Sequence, residues 1–181
     1  MSSISTLPRS PRNALKWIAS IAFAVLILDW LTKIWAVWRL KPFHSIEIVP
    51  GYLRLAYGEN PGIAFGLFRD HGGILHFITP IAFIILLIII YKQFAETEMD
   101  GWYMTIFGLL IGGALGNILN RLYCGYVVDF IDFYNLWGYH WPTFNVADSA
   151  LSIGEAILVG KLIFWEKRQE AEKPDSVSQE S

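Results

Sequence analysis

The sequence predicts an all-α membrane protein: four transmembrane helices, with a small extracytoplasmic β element built from the two outer connections. Three observations carry that expectation. Hydrophobic residues make up 54% of the 181, and the mean hydropathy is +0.42, too apolar for a water-soluble chain of this size. Gly72–Tyr91 and Gly101–Asn120 contain no Asp, Glu, Lys or Arg, and each is long enough to cross a hydrocarbon core, which takes about 20 residues. Two longer, mixed connections, Pro42–Asp70 and Arg121–Val146, carry β-branched and aromatic runs of the kind that form strands.

The elements follow in order. Residues 1–13 form a basic, cytoplasmic N-terminal segment with Arg9 and Arg12. The first span runs from Ala14 to Trp35, with Asp29 and Lys33 near its far end. Its basic start resembles a signal peptide, but no small-residue cleavage site follows, so it reads as a retained anchor. In the first outer connection, Ile46–Tyr57 alternates enough to predict a strand pair. Gly72–Tyr91 is the second span. Lys92–Asp100 is a short polar turn. Gly101–Asn120 is the third span, and Tyr126–Tyr134 in the next connection reads as a further strand. The fourth span runs from Ala147 to Trp165, closing a membrane domain over 14–165, and residues 166–181 form a charged, Ser-rich cytoplasmic tail expected to be disordered. Gly108, Gly112 and Gly116 recur every fourth residue on the third span, as do Ser152, Ala156 and Gly160 on the fourth. Such stripes let helices approach closely in lipid and predict that these two spans lie centrally. Lys and Arg divide eight to six in favour of both termini inside. Trp30, Trp35 and Trp38 fit an outer interfacial belt.

With that topology the unusual polar residues gather on the outer face: Asp29 and Lys33, Asn60, Asn117 and Arg121, Asp129 and Asp132, Asn145 and Asp148. Ionisable groups at membrane depth are costly and mark function. Each also has a plain structural reading. Asp29 and Lys33, four apart, share a helix face and pair. Asn60-Pro61-Gly62 is a turn signal. Asn117 suits an interhelical hydrogen bond, Arg121 an interfacial anchor, and Asp132 a solvated loop charge. Asp148 reads equally as the N-cap of the fourth helix or as a catalytic group. Two carboxylates at one site point to acid–base hydrolysis, because like charges held close leave one of them protonated near neutral pH.

Several function classes find no support. A net charge of −2 argues against nucleic acid as partner. His44, His71, His76 and His140 have no metal-ligand spacing, so no metal or other cofactor is expected. Cys124 is the single cysteine, with no positioned His to activate it. A proton-coupled transporter would need polar residues along its whole path. A non-enzymatic assembly factor would account for the glycine stripes but not for the paired aspartates.

The clustered residues fall into ordered motifs: Asp29-Trp-Leu-Thr-Lys33, Asn60-Pro-Gly62-Ile-Ala-Phe65, Gly112-Gly-Ala-Leu-Gly116-Asn117 through Asn120-Arg121, Gly125-Tyr-Val-Val-Asp129-Phe-Ile-Asp132, and Phe144-Asn145-Val-Ala-Asp148. Together, over residues 14 to 165, they closely resemble the lipoprotein signal peptidase (signal peptidase II) family. The resemblance implies a multi-pass aspartyl endopeptidase of the bacterial inner membrane with its site at the outer face. Its substrates would be diacylglyceryl-modified prolipoproteins, cut just before the lipidated cysteine. By position, the catalytic pair falls on Asp129 and Asp148. Asn60, Gly62, Asn117, Arg121 and Asn145 would line the site and hold substrate, and Asp29 and Lys33 would support it. Membrane lipid would surround the enzyme, and globomycin, a cyclic peptide, would inhibit it. One departure stands out: the family usually has Asp where this chain has Asn120. Arg121, without that neighbour, is expected to pair with Asp129 or Asp132.

Overall fold

The computed structural model describes residues 11–43, 45–61, 81, 84–85, 88, 92, 100–134 and 141–171. Within them lie three long helices, α1 (Pro11–Arg39), α2 (Gly101–Cys124) and α3 (Val146–Ala171). A small antiparallel sheet joins them, with strands β1 (Ser45–Val49), β2 (Leu53–Asn60) and β3 (Val127–Phe133) in the order β1-β2-β3. The strands fall where the alternation in the two outer connections predicts them. The expected second span and Gly62 lie largely or wholly outside the described residues, as do residues 172–181.

Among the described residues, two helices are long and apolar enough to cross a membrane, Arg12–Arg39 and Gly101–Cys124. The stretch expected as the fourth span is helical, but Asp148, Glu155 and Lys161 make α3 less apolar than the other two. Large apolar side chains sit exposed along α1, including Leu15, Phe23, Trp30 and Trp38, as a lipid-facing surface would have them.

Among the described helices α2 is central, packing against α1 on one side and α3 on the other. Its glycines explain why. A Cβ on Gly108 would lie 2.6 Å from Ile21 Cβ, and one on Gly112 would lie 2.8 Å from Ala22 O. α1 therefore rests almost on the α2 backbone. The same holds for α3 at Gly113, where a Cβ would lie 2.6 Å from Ala147 O. The expected stripe on α3 is different: Ser152 and Ala156 are exposed, and among the described residues a Cβ on Gly160 would meet nothing within 4 Å. Gly113 and Gly154 provide the close approach instead, Gly154 facing Leu109 and Leu110.

Caps define the helix ends. Asp100 accepts from Tyr103 N–H at the start of α2 (3.0 Å) and pairs with Lys161 of α3. Gly125 ends α2 in the left-handed region, φ 79°, donating its N–H to Arg121 O at 2.8 Å. Pro50-Gly51 turns β1 into β2, with Gly51 at φ 79° where the turn needs a positive φ. The sheet buries Val128 and Phe130 against Ala36 and Leu40 at the end of α1. That contact sets β3 beside the C-terminal ends of α1 and α2.

Candidate active site

Asp129 lies mid-strand on β3, flanked by buried Val128 and Phe130. Its strand partner is Gly58, and Val127 pairs with Asn60 at the end of β2. That register brings Asn60 Nδ2 to Asp129 Oδ2 at 2.9 Å. The other oxygen, Oδ1, accepts from Asn145 Nδ2 at 2.7 Å. Asp129 is 1% exposed. Burial, and then the Asp148 charge, push its pKa up to about 7, against the opposing pull of Asn60, Asn145 and Lys33.

Asp148 enters from the first turn of α3. Asn145 is the N-cap, and the two side chains serve each other's backbone. Asp148 N–H donates to Asn145 Oδ1 (3.0 Å), while Asn145 N–H donates to Asp148 Oδ2 (3.2 Å). This reciprocal box corrects the reading of Asp148 as cap: the cap is Asn145, and Asp148 stands three residues inside. The remaining oxygen, Oδ1, accepts from Asn117 Nδ2 of α2 at 2.7 Å.

Asn117 and Asn145 join the two carboxylates into one network. Asn145 Nδ2 also lies 3.2 Å from Asn117 Oδ1 and 3.4 Å from Val128 O. Asn117 Oδ1 takes a further bond from Lys33 Nζ at 3.0 Å. Lys33 in turn pairs with Asp29 Oδ2 at 2.8 Å, both nearly fully buried. Asp29 Oδ1 reaches across from α1 to accept Ala147 N–H at 3.0 Å, so one carboxylate both neutralises Lys33 and satisfies a backbone donor at the start of α3. Gly116 makes room for this: a Cβ there would lie 2.6 Å from Asp29 Oδ2.

The sequence-predicted residues Asp29, Lys33, Asn60, Asn117, Asn145, Asp129 and Asp148 thus form one hydrogen-bonded cluster. Arg121, on the last turn of α2, lies within electrostatic reach of both Asp148 and Asp129. Asp132 is set apart and is not solvated. It is 3% exposed and pairs with Arg54 Nε at 2.6 Å, because the register places Arg54 directly opposite it. Three residues along the strand from Asp129, it faces the other way.

Besides these partnerships, two further contacts escape sequence reasoning. Arg54–Asp132 depends on strand register alone. The other is Asn120 Oδ1, which accepts Val128 N–H at 2.7 Å; its only signal in the sequence is an asparagine beside Arg121. Among the described residues, no group of His, Cys, Asp and Glu side chains could hold a metal ion. Two carboxylates at one locus, each oxygen held by a donor and Asp129 raised by burial and the neighbouring Asp148 charge, can activate water and donate a proton there.

A family model described as signal peptidase (SPase) II matches residues 21–164. The chain is 44% identical over 139 residues to the lipoprotein signal peptidase of Thermodesulfovibrio yellowstonii, covering 77% of this chain and 89% of that one. It is 34% identical over 164 residues to the lipoprotein signal peptidase of Psychromonas ingrahamii, covering 90% and 93%. A bacterial membrane enzyme solved by the in meso method at 2.3 Å superimposes with a TM-score of 0.74 at 32% identity, over 90% of this chain and 95% of that one. A second such enzyme, at 1.9 Å, gives 0.69 at 34% identity, over 82% and 93%.

Proposed function

The chain belongs to the signal peptidase II family, and from that premise we propose that it is an aspartyl endopeptidase that removes the signal peptide from diacylglyceryl-modified prolipoproteins, cutting just before the lipidated cysteine. Membership places it in the membrane. In our reading it spans the bilayer four times, with both termini cytoplasmic and its site at the outer face of a bacterial inner membrane.

The observation that carries the chemistry is the pair of carboxylates, buried Asp129 and half-buried Asp148, tied together through Asn145 and Asn117. Two like charges in a site of low water content do not both ionise easily, so the pair holds one proton near neutrality. The ionised member takes a proton from water as that water attacks the scissile carbonyl. The protonated member donates to the carbonyl oxygen, and a proton then passes to the leaving amine as the tetrahedral intermediate collapses. The pair titrates as a unit, so acid and base belong to the dyad and not to one residue each. Asn60, Asn117 and Asn145 hold the carboxylate oxygens before substrate arrives, which lowers the reorganisation needed in the transition state. Arg121 supplies positive charge next to the dyad, suited to a developing oxyanion or a substrate carbonyl. By its place in the Asn60-Pro61-Gly62 motif, Gly62 is read with Asn60 as a substrate-holding residue. In this reading the two carboxylates suffice and no metal is needed. Globomycin, as a cyclic peptide, would compete for the same cleft.

The test is cleavage of a purified diacylglyceryl-modified prolipoprotein in detergent by wild type, Asp129→Asn, Asp148→Asn and Asp132→Asn. Loss of cutting in the first two variants, with Asp132→Asn still active, is the expected result. Wild-type turnover by either dyad variant would sink the assignment.

A further inference from the structure

We propose that Asn120 is a positioning residue for the dyad: its side-chain carbonyl clamps the Val128 N–H and thereby fixes the strand segment that presents Asp129. The inference rests on the dyad reading above and adds to it the part that holds β3 in register with α2.

The accounting of backbone groups around Asp129 carries the argument. β3 has β2 on one side and the segment around Phe144 on the other. On that second side, the Phe130 and Ile131 N–H groups donate to Phe144 O at 3.0 and 2.9 Å. Val128, two residues earlier and only 2% exposed, donates its N–H to Asn120 Oδ1 at 2.7 Å. Its carbonyl lies 3.4 Å from Asn145 Nδ2. Two asparagines, one from α2 and one from the start of α3, therefore grip the backbone of the residue before Asp129. Asn145 also holds the Asp129 carboxylate directly. Asn120 does not: it lines a groove of about 500 Å³ between α1 and α2, together with Trp30, Lys33 and Leu119, and neither dyad residue borders that groove. Asn120 thus acts on Asp129 through the strand, without touching the reacting groups.

An amide suits this position. Asn120 Oδ1 is an acceptor for Val128, while its Nδ2 lies 3.5 Å from Cys124 Sγ one turn on. The amide can thus satisfy the strand without placing another charge in the groove it shares with Asp29 and Lys33. A buried N–H that loses its acceptor either moves toward another or admits water, and either outcome displaces Asp129 from Asn60 and Asn145. Asn120→Asp keeps an acceptor for Val128; Asn120→Leu keeps the bulk and removes it.

The experiment uses the full chain with a diacylglyceryl-modified prolipoprotein, reading kcat, KM and the pH profile for Asn120→Leu, Asn120→Ala, Asn120→Asp and Cys124→Ala. The expected result is a kcat loss on the order of tenfold or more in the Leu and Ala variants, with KM within about twofold of wild type. Asn120→Asp retains most of kcat, and Cys124→Ala is unchanged. A merely structural role would lower the yield of folded enzyme and leave kcat per folded molecule and the pH profile intact, so turnover is normalised to the folded fraction in every variant. Wild-type kcat in both Asn120→Leu and Asn120→Ala, or a loss in Asn120→Asp as deep as in those two, overturns the clamp. Activity retained by Asp129→Asn overturns the dyad reading instead, so the two failures are distinguishable.

Discussion

The Asp29–Lys33 pair offers the sharpest quantitative prediction, because both members are buried and both reach toward Asp148. Lys33 is 5% exposed and Asp29 1%, with 2.8 Å between Nζ and Oδ2. Asp29→Asn leaves the Lys33 ammonium buried without its counter-charge. Lys33→Met leaves the Asp29 carboxylate in the same position. Removing one partner of a buried pair costs about 3–5 kcal/mol, so each single variant should lose that much. The double variant carries neither charge. Its amide can still accept the Ala147 N–H that Asp29 Oδ1 now accepts, and Asn117 Oδ1 keeps Asn145 Nδ2 after losing Lys33 Nζ. What it forgoes is mainly one hydrogen bond, about 1–2 kcal/mol. The singles would then sum to roughly 6–10 kcal/mol while the double loses about 2, a coupling of about 4 kcal/mol or more. Melting followed by tryptophan fluorescence in one detergent reads this out. At roughly 2–4 °C per kcal/mol for a chain of this size, each single variant should melt about 6–20 °C low and the double within about 8 °C of wild type. Cleavage should fall in every variant containing Lys33→Met, since Asn117 then loses one of the two donors that orient it toward Asp148. Single-variant losses that add to within about 0.5 kcal/mol of the double would refute the reasoning: the pair would then be a spectator.

Cleavage should decline as pH rises through about 7. Burial and the neighbouring Asp148 charge raise Asp129 to that value, and loss of the last shared proton removes the acid. The groups facing Asp129 are Asn60 from β2, Lys33 from α1, Arg121 from α2, and Asn145 and Asp148 at the start of α3. The linkage runs the same way: a carboxyl raised in the folded state stabilises fully below its unfolded value near 4, and that contribution is lost as pH climbs to about 7. A rate profile flat between pH 6 and 8.5 would contradict both statements. Gly116→Ala should cost about 1–3 kcal/mol and lower kcat, because the new methyl would stand 2.6 Å from Asp29 Oδ2 and must push that carboxylate off Lys33 or Ala147. Undiminished melting temperature and turnover would show that α1 yields there without consequence.

The polar residues of the site were legible in the sequence because the bilayer makes them conspicuous. Asp29, Lys33 and Asn117 interrupt apolar stretches where an ionisable or amide group is expensive, and four apart on one helix Asp29 and Lys33 can hardly avoid each other. The strands were legible because Ile46–Tyr57 and Tyr126–Tyr134 are rich in β-branched and aromatic residues, the first with partial period-two alternation. Motif order then supplied the family, and with it the pair Asp129 and Asp148.

Partners across the chain were not legible, because they depend on register and on which helix face meets which. Nothing in the local sequence says that Arg54 stands opposite Asp132, that Asn145 caps α3 while Asp148 answers it, or that a carboxylate on α1 completes the start of α3. The small-residue stripe on α3 had the right spacing but the wrong face. Small residues permit close approach without commanding it, and α2 meets α3 through Gly113 and Gly154 instead. Sequence by itself determined which groups are costly to bury, since that is a property of each side chain against its solvent. Tertiary structure alone decided who satisfies them, since a hydrogen bond needs its two atoms within about 3 Å and only packing brings residues 29, 117, 129 and 148 that close.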